Sequence, residues 1–322
     1  MQKFFGNILL LVIFFLFVSQ VHAQVRLSGG NLGYTSFFDG FGFPGIVSDQ
    51  YFYYNHADDF TDADGDKLPG KNKMHNLMLL TSFKICFENP KILGAWPGID
   101  IELPIMFDLK VTNDRFTETE NSVGGLFVGF FLQYPKLMLF NKIPYWQRLE
   151  LLVKFPTGHY DSDNYVNADN NAFAINPYYA FTAFLSRRIE LSMRLFYKWT
   201  SKNDDPAEIP SPEWDPKSGT PPKFADSIQE GQAFWMNFAS SYGITDNFWA
   251  GINGYYLEQI TNHKIDGHDI PDSKERVLAI GPGIFYITDE KKDLFWLNFY
   301  DEVLTKNRPD GVALNVRWLH VF

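Results

Sequence analysis

From residue 99 to residue 111 every second side chain is large and apolar. Ile99, Ile101, Leu103, Ile105, Phe107, Leu109 and Val111 share one parity, while Asp100, Glu102, Asp108 and Lys110 fall on the other. A period of two places such sets on opposite faces of a strand. The pattern returns at 145–155, with Leu149, Leu151 and Val153 against Arg148, Glu150 and Lys154. It returns again at 188–199, with Leu191, Met193 and Leu195 against Arg188, Glu190 and Arg194. Soluble strands usually run to about 5–6 residues, whereas a tilted strand crossing a bilayer needs ~9–11. These runs have the longer kind of length.

After residue 23 no stretch of 18 apolar residues occurs, so any membrane crossing from there on is made by strands. In hydrocarbon every backbone amide must be paired internally, which leaves a closed barrel. The pattern predicts an all-β, transmembrane, antiparallel up-and-down barrel of about twelve strands: 46–56, 73–88, 97–112, 122–134, 145–155, 172–184, 188–199, 232–242, 248–259, 276–287, 294–303 and 312–322. Segments 57–72, 113–121, 156–171, 200–231, 260–275 and 304–311 are mostly long and polar, and those between them mostly shorter. Outer-membrane barrels pair long external loops with short periplasmic turns, and an even strand number leaves both termini periplasmic. A soluble β-sandwich also alternates. Strand length, loop asymmetry, an export signal and aromatic content favour the barrel.

The export signal is residues 1–23. Lys3 precedes the apolar run Ile8–Val18, and Val21-His22-Ala23 supplies small residues for cleavage. Aromatic residues make up 17 % of the chain, and amphipathic rings collect at membrane interfaces. Trp146, Trp199, Trp249, Trp296 and Trp318 fall near strand ends and read as interface girdles. The net charge of −10 argues against nucleic acid as a partner. The single cysteine, Cys86, excludes an internal disulfide. In the last strand Val312, Leu314, Val316, Trp318 and Phe322 share one parity, with His320 interrupting it. A C-terminal aromatic of this kind is what the barrel-assembly machinery reads, so that machinery and outer-membrane lipid are the expected partners.

Several residues are candidates for function. The inward parity carries Asp100, Glu102, Asp108, Lys110, Arg148, Glu150, Lys154, Arg188, Glu190 and Arg194. They are expected to line the lumen, with the arginines set against Glu150, Glu190 and Glu102. Such a wall serves solute selection or structural salt bridging. Residues 24–45 are rich in Gly and Phe and precede the barrel proper, 46–322. They read as a plug with Phe37, Phe38, Phe41 and Phe43 lining an apolar path, or else as a periplasmic tail or an extra strand. Asp62, Asp64 and Asp66 are spaced for Ca²⁺, but the EF-hand positions for Gly and Glu hold Lys67 and Lys73. His159 and Asp161 stand beside Ser162, the raw material of a barrel lipid hydrolase, without the Gly-x-Ser-x-Gly turn. The Pro-rich, acidic loop 200–231 reads as a flexible surface loop or a lid. No cofactor is expected.

Certain segments resemble the outer-membrane family named for the meta-pathway of phenol degradation. They are Tyr51-Phe52-Tyr53-Tyr54-Asn55, Lys154-Phe155-Pro156-Thr157-Gly158-His159-Tyr160-Asp161 and Asn176-Pro177-Tyr178-Tyr179. Later come Ser241-Tyr242-Gly243-Ile244-Thr245-Asp246-Asn247, Gly254-Tyr255-Tyr256, Gln259-Ile260-Thr261 and Ile280-Gly281-Pro282-Gly283. The resemblance implies a non-enzymatic channel for passive uptake of small hydrophobic or aromatic solutes, and it brings no catalytic residues. The alternative is a structural or adhesive surface barrel whose loops bind an external partner.

Overall fold

The computed structural model describes residues 30–214, 218 and 220–322. The signal peptide and the first residues of the 24–45 segment lie outside them. Among the described residues twelve long strands form the fold. They are β1 (Gly45–Phe60), β2 (Lys73–Cys86), β3 (Trp96–Thr112), β4 (Phe127–Gln133), β5 (Ile143–Lys154) and β6 (Ala174–Ser186). After them come β7 (Ile189–Thr200), β8 (Ala233–Gly243), β9 (Phe248–Gln259), β10 (Arg276–Ile287), β11 (Asp293–Lys306) and β12 (Pro309–Val321). Each pairs antiparallel with the next. β12 returns to β1, with Arg317 opposite Tyr51 and Asn315 opposite Tyr53. The sheet therefore closes and leaves no long edge with unpaired amides. This is the up-and-down barrel that the alternation predicts.

Facing is clearest in β7. Glu190, Ser192, Arg194, Phe196, Lys198 and Thr200 are buried, while Leu191 and Leu195 are exposed on the outer wall. Phe234, Ile252, Phe299 and Leu314 continue that outer band. Each such side chain gains about 1.5–3 kcal/mol on moving from water into an apolar medium.

The period slips at β-bulges. Opposite β2, Leu77 faces Asp108 while the adjacent Met78 faces Met106, so Phe107 is the extra residue. Beyond it the parity of β3 reverses. Leu109 and Val111 turn inward, and Asp108 and Lys110 turn outward beside Leu77 and His75. The expectation that Asp108 and Lys110 line the lumen is thus corrected. An extra residue flips every side chain after it to the opposite face.

Two connections also differ from expectation. The segment 304–311 is mostly strand, and Asn307 and Arg308 alone join β11 to β12, Asn307 taking φ 53°. The described residues of the loop 200–231 are folded. Ile228–Gln229 pairs with Lys264–Ile265, which pairs with His268–Asp269, and Ile209, Ile265 and Ile270 form a small apolar core. Asp266 welds the two loops by accepting from the amides of Asp226 and Ser227 and from the Ser211 hydroxyl.

Candidate functional site

Residues 35–44 fill the end of the barrel carrying the short turns, and residues 30–34 continue up the lumen to the floor of its loop-end half. This segment rises inside the barrel, anchored by the wall. Tyr300 donates to the Gly33 carbonyl (2.8 Å), Trp296 to that of Phe37 (3.0 Å) and Trp235 to that of Asn31 (3.2 Å). Asn237 accepts from Gly33 N–H and donates to Asn31 and Thr35. Thr182 accepts from Gly40 N–H at 2.8 Å. Gly40 fits because a Cβ there would lie 2.6 Å from the backbone of Phe181 and Thr182. Gly33 fits because its φ is +75° and two tyrosine rings close over it. Phe37 is fully buried against Trp249, Phe285 and Trp296, and Phe38 packs on Phe184, Trp249 and Phe285. Phe41 and Phe43 are more exposed, with Phe41 against Trp146.

The charged wall is lumenal but paired differently from expectation. Asp100 and Glu102 meet Lys84 of β2 at 3.2 and 4.0 Å. Glu150 accepts from the Tyr178 hydroxyl. Arg148 donates to Gln133 (2.9 Å) and lies over the Phe131 ring. Lys154 is held by Asp169 and Asn170 of the loop after β5. Glu190 accepts from Phe38 N–H (3.0 Å), and Arg194 clasps Asp39, so both hold the segment instead of pairing across strands. Arg188 sits in the β6–β7 turn and donates to the carbonyls of Gly243 and Ile244. It caps that end of the barrel, off the lumen wall.

The loop end of the lumen holds a cavity of about 510 Å³. Its walls include Tyr34, Tyr53, Met74, Met78, Leu80, Met106, Leu109, Val111 and Leu152. Among the charged groups lining it, Lys198 is held by Glu230 and Arg308 by Glu275. Ile209 and Ile228 of the folded cap close over it. On the outer face lies a second hollow, about 740 Å³, lined by Phe130, Leu132, Leu149, Leu151, Leu195, Phe234 and Met236. Tyr178, Phe196 and Trp235 border both spaces. The wall is weakened there. Ile175 faces Trp199 and Tyr178 faces Phe196, but Asn176 and Pro177 have no register partners in β7. Proline has no N–H to give a ladder.

The remaining candidates separate. Asp62 Oδ1 accepts three amides of its own turn, from Asp64, Gly65 and Asp66, and no group of three metal-binding side chains occurs among the described residues. The ring of His159 faces Glu120 at 3.5 Å, away from the Ser–His pairing of a hydrolase. The Pro-Thr-Gly turn is structural. Thr157 accepts from Leu126 N–H, His159 N–H reaches the Val123 carbonyl, and Gly158 N–H reaches Asp169. Trp199 and Trp318 face outward, whereas Trp249 and Trp296 face inward under the lumenal segment. His320 keeps to the outer face of β12 and shares Asp293 with the Trp318 indole, at 2.8 and 2.9 Å. Sequence reasoning missed Asp49, Lys84, Arg317 and Asp39. The inward parity of Asp49, Lys84 and Arg317 was readable, whereas Asp39 lies in a turn with no period, and the partners lie up to 268 residues away.

A closed twelve-stranded barrel with an apolar outer band and a lumen filled at one end defines the class, the outer-membrane β-barrel. A family model described as "Putative MetA-pathway of phenol degradation" matches residues 57–318, and the chain belongs to that family. Among solved structures it is similar to the COG4313 outer membrane channel from Pseudomonas putida F1. The TM-score is 0.72 with 16 % identity, covering 92 % of this chain and 100 % of that one. The β domain of the Bordetella autotransporter BrkA (TM-score 0.47, 8 % identity, 86 % and 100 % covered) and the NanC porin (0.42, 10 %, 85 % and 98 %) are more distant. No curated protein sequence matches significantly.

Proposed function

We propose that this barrel is an outer-membrane channel for passive uptake of small hydrophobic or aromatic solutes. Its long loops face outside and both termini face the periplasm. Residues 30–44 act as a plug, and Phe322, on the outer face and 69 % exposed, addresses the chain to the assembly machinery. One observation carries the reading. The cavity, whose lining joins an apolar floor to asparagines and paired charges, and the apolar outer hollow share Tyr178, Phe196 and Trp235 as a common wall, at a place where the strand ladder is interrupted. An apolar solute bound in the cavity has a short way into the bilayer, while the plugged bore offers none to a polar one. The similarity to the Pseudomonas putida outer membrane channel accords with this.

The test uses cells whose other porins are deleted. Phe196→Ala and Trp235→Ala are expected to speed uptake of phenylnaphthylamine, which fluoresces on reaching lipid. Sugar-driven liposome swelling is expected to stay low. Unchanged probe uptake in both variants would refute the side passage. Probe uptake by the unaltered barrel no faster than in the porin-deleted cells lacking it would favour the adhesive alternative.

A further inference from the structure

Arg194 projects into the lumen from β7. Asp39 of the lumenal segment holds it in a two-point grip, Nε to Oδ2 at 2.9 Å and Nη2 to Oδ1 at 2.5 Å. Both residues are buried. The guanidinium carbon lies 4.3 Å from the centre of the Tyr178 ring and 5.7 Å from that of Phe196. A cation in this position is drawn to the ring face, and the more so where water is excluded. Tyr178 and Phe196 are the first two of the three rings between the cavity and the outer hollow, with centres 5.2 Å apart. Phe196 stacks on the third, Trp235, at 4.7 Å and 14°. Trp235 is gripped by the same segment at the other end of the row. Its indole donates to the Asn31 carbonyl at 3.2 Å, and Gly30 packs on its ring. The far side of Tyr178 is fixed by its hydroxyl on Glu150.

We infer that Asp39 and Arg194 are positioning residues for the side passage, so that the lumenal segment controls the wall as well as the bore. While the segment is seated, Asp39 presses Arg194 onto Tyr178 and Phe196, and Asn31 pins Trp235. Unseating the segment releases both ends of the row together. Arg194 then loses the partner that holds it over the rings, and the wall opens where β6 and β7 are unpaired. This inference rests on the side passage described under the proposed function.

The experiment measures phenylnaphthylamine uptake, sugar-driven swelling and amide exchange at Tyr178 and Tyr179 in the full-length protein. Asp39→Asn, which keeps the shape, and Arg194→Gln are each expected to raise probe uptake roughly fivefold or more and to speed exchange. The double variant should exceed neither single one, and Arg194→Lys should fall between, because it keeps the charge without the fork. Sugar flux should rise much less than probe uptake. If Phe196→Ala speeds uptake while Asp39→Asn and Arg194→Gln do not, the coupling is wrong and the side passage stands. If Phe196→Ala also has no effect, both fail. Equal rises in sugar and probe flux would mean the pair merely seats a stopper in the bore. The heat-dependent gel shift of folded barrels shows which variants assemble, and Asp39→Asn carries the test should Arg194→Gln not fold.

Discussion

Arg317 in β12 donates to both carboxylate oxygens of Asp49 in β1, at 2.8 and 2.7 Å, across the pair of strands that closes the barrel. Lys84 and the Tyr51 hydroxyl complete the set around Asp49. Taking one partner from a buried pair strands the other, at about 3–5 kcal/mol. Arg317→Gln should weaken the closing seam by less than that, about 1.5–3 kcal/mol, because Lys84 and Tyr51 stay on Asp49. Arg317→Gln with Asp49→Asn should cost less than the single change. Unfolding in urea followed by the gel shift measures both.

The bulge at Phe107 makes a selective prediction. Asp108→Asn and Lys110→Gln, outside the lumen, should leave the ion selectivity of any open state unchanged. Glu102→Gln, which removes a lumenal carboxylate, should lower cation preference. Reversal potentials across a salt gradient decide it. A selectivity change in Asp108→Asn would restore the unbroken alternation.

His263 makes the folded cap sensitive to acid. Its Nδ1 accepts the Gly231 N–H at 3.0 Å, and burial pushes its pKa below the ordinary value of 6.5, against the pull of Glu275. The folded ring thus refuses a proton that the unfolded loop accepts. Its contribution is complete above the unfolded value and falls away as pH drops below about 6.5. Protection of the amides in 226–231 and 261–270, taken relative to the intrinsic exchange rate at each pH, should fall from about pH 7 to about pH 5, and His263→Gln, which keeps an acceptor, should flatten that response. An unaltered pH profile in His263→Gln would exclude the ring as the cause.

Deleting Phe322 should sharply reduce the fraction of chains that reach the folded, membrane-inserted form, measured by gel shift after fractionation. Normal assembly of the shortened chain would assign the targeting signal elsewhere in β12.

Removing residues 24–45 should open the bore. Single-channel conductance should rise several-fold, because the space held by Phe37, Gly40 and their neighbours becomes solvent. Unchanged conductance would leave the segment without a gating role.

Period-two alternation was legible wherever a strand kept its register. It led to the closed barrel and put Glu102, Glu150, Lys154, Glu190 and Arg194 on the inner wall. It failed at the bulge, because nothing local to Phe107 announces an extra residue. It also failed at Trp249 and Trp296. A tryptophan near a strand end suits a girdle or a packed lumen equally, and only the parity of its strand tells them apart. Pairing partners were illegible for a different reason. Arg194 finds Asp39, 155 residues away, and no short-range pattern links the two. The cap over the mouth was hidden because its strands are two residues long, too short for any periodicity.

The lumenal segment precedes β1, yet most of the hydrogen bonds that hold it come from β6 through β11, with Gln133 of β4 adding one to the Gly40 carbonyl. Thr182, Arg194, Asn237, Trp296 and Tyr300 are 142 to 267 residues further along the chain. The stretch that leaves the ribosome among the first can therefore find its place only among the last, after the later strands have joined the sheet. Until then it trails unseated, a long wait for loop-closing contacts of this sequence separation. A newly inserted barrel would pass through a brief leaky stage, so the timing of strand addition, and not the strength of the final seat alone, sets how long the outer membrane is exposed.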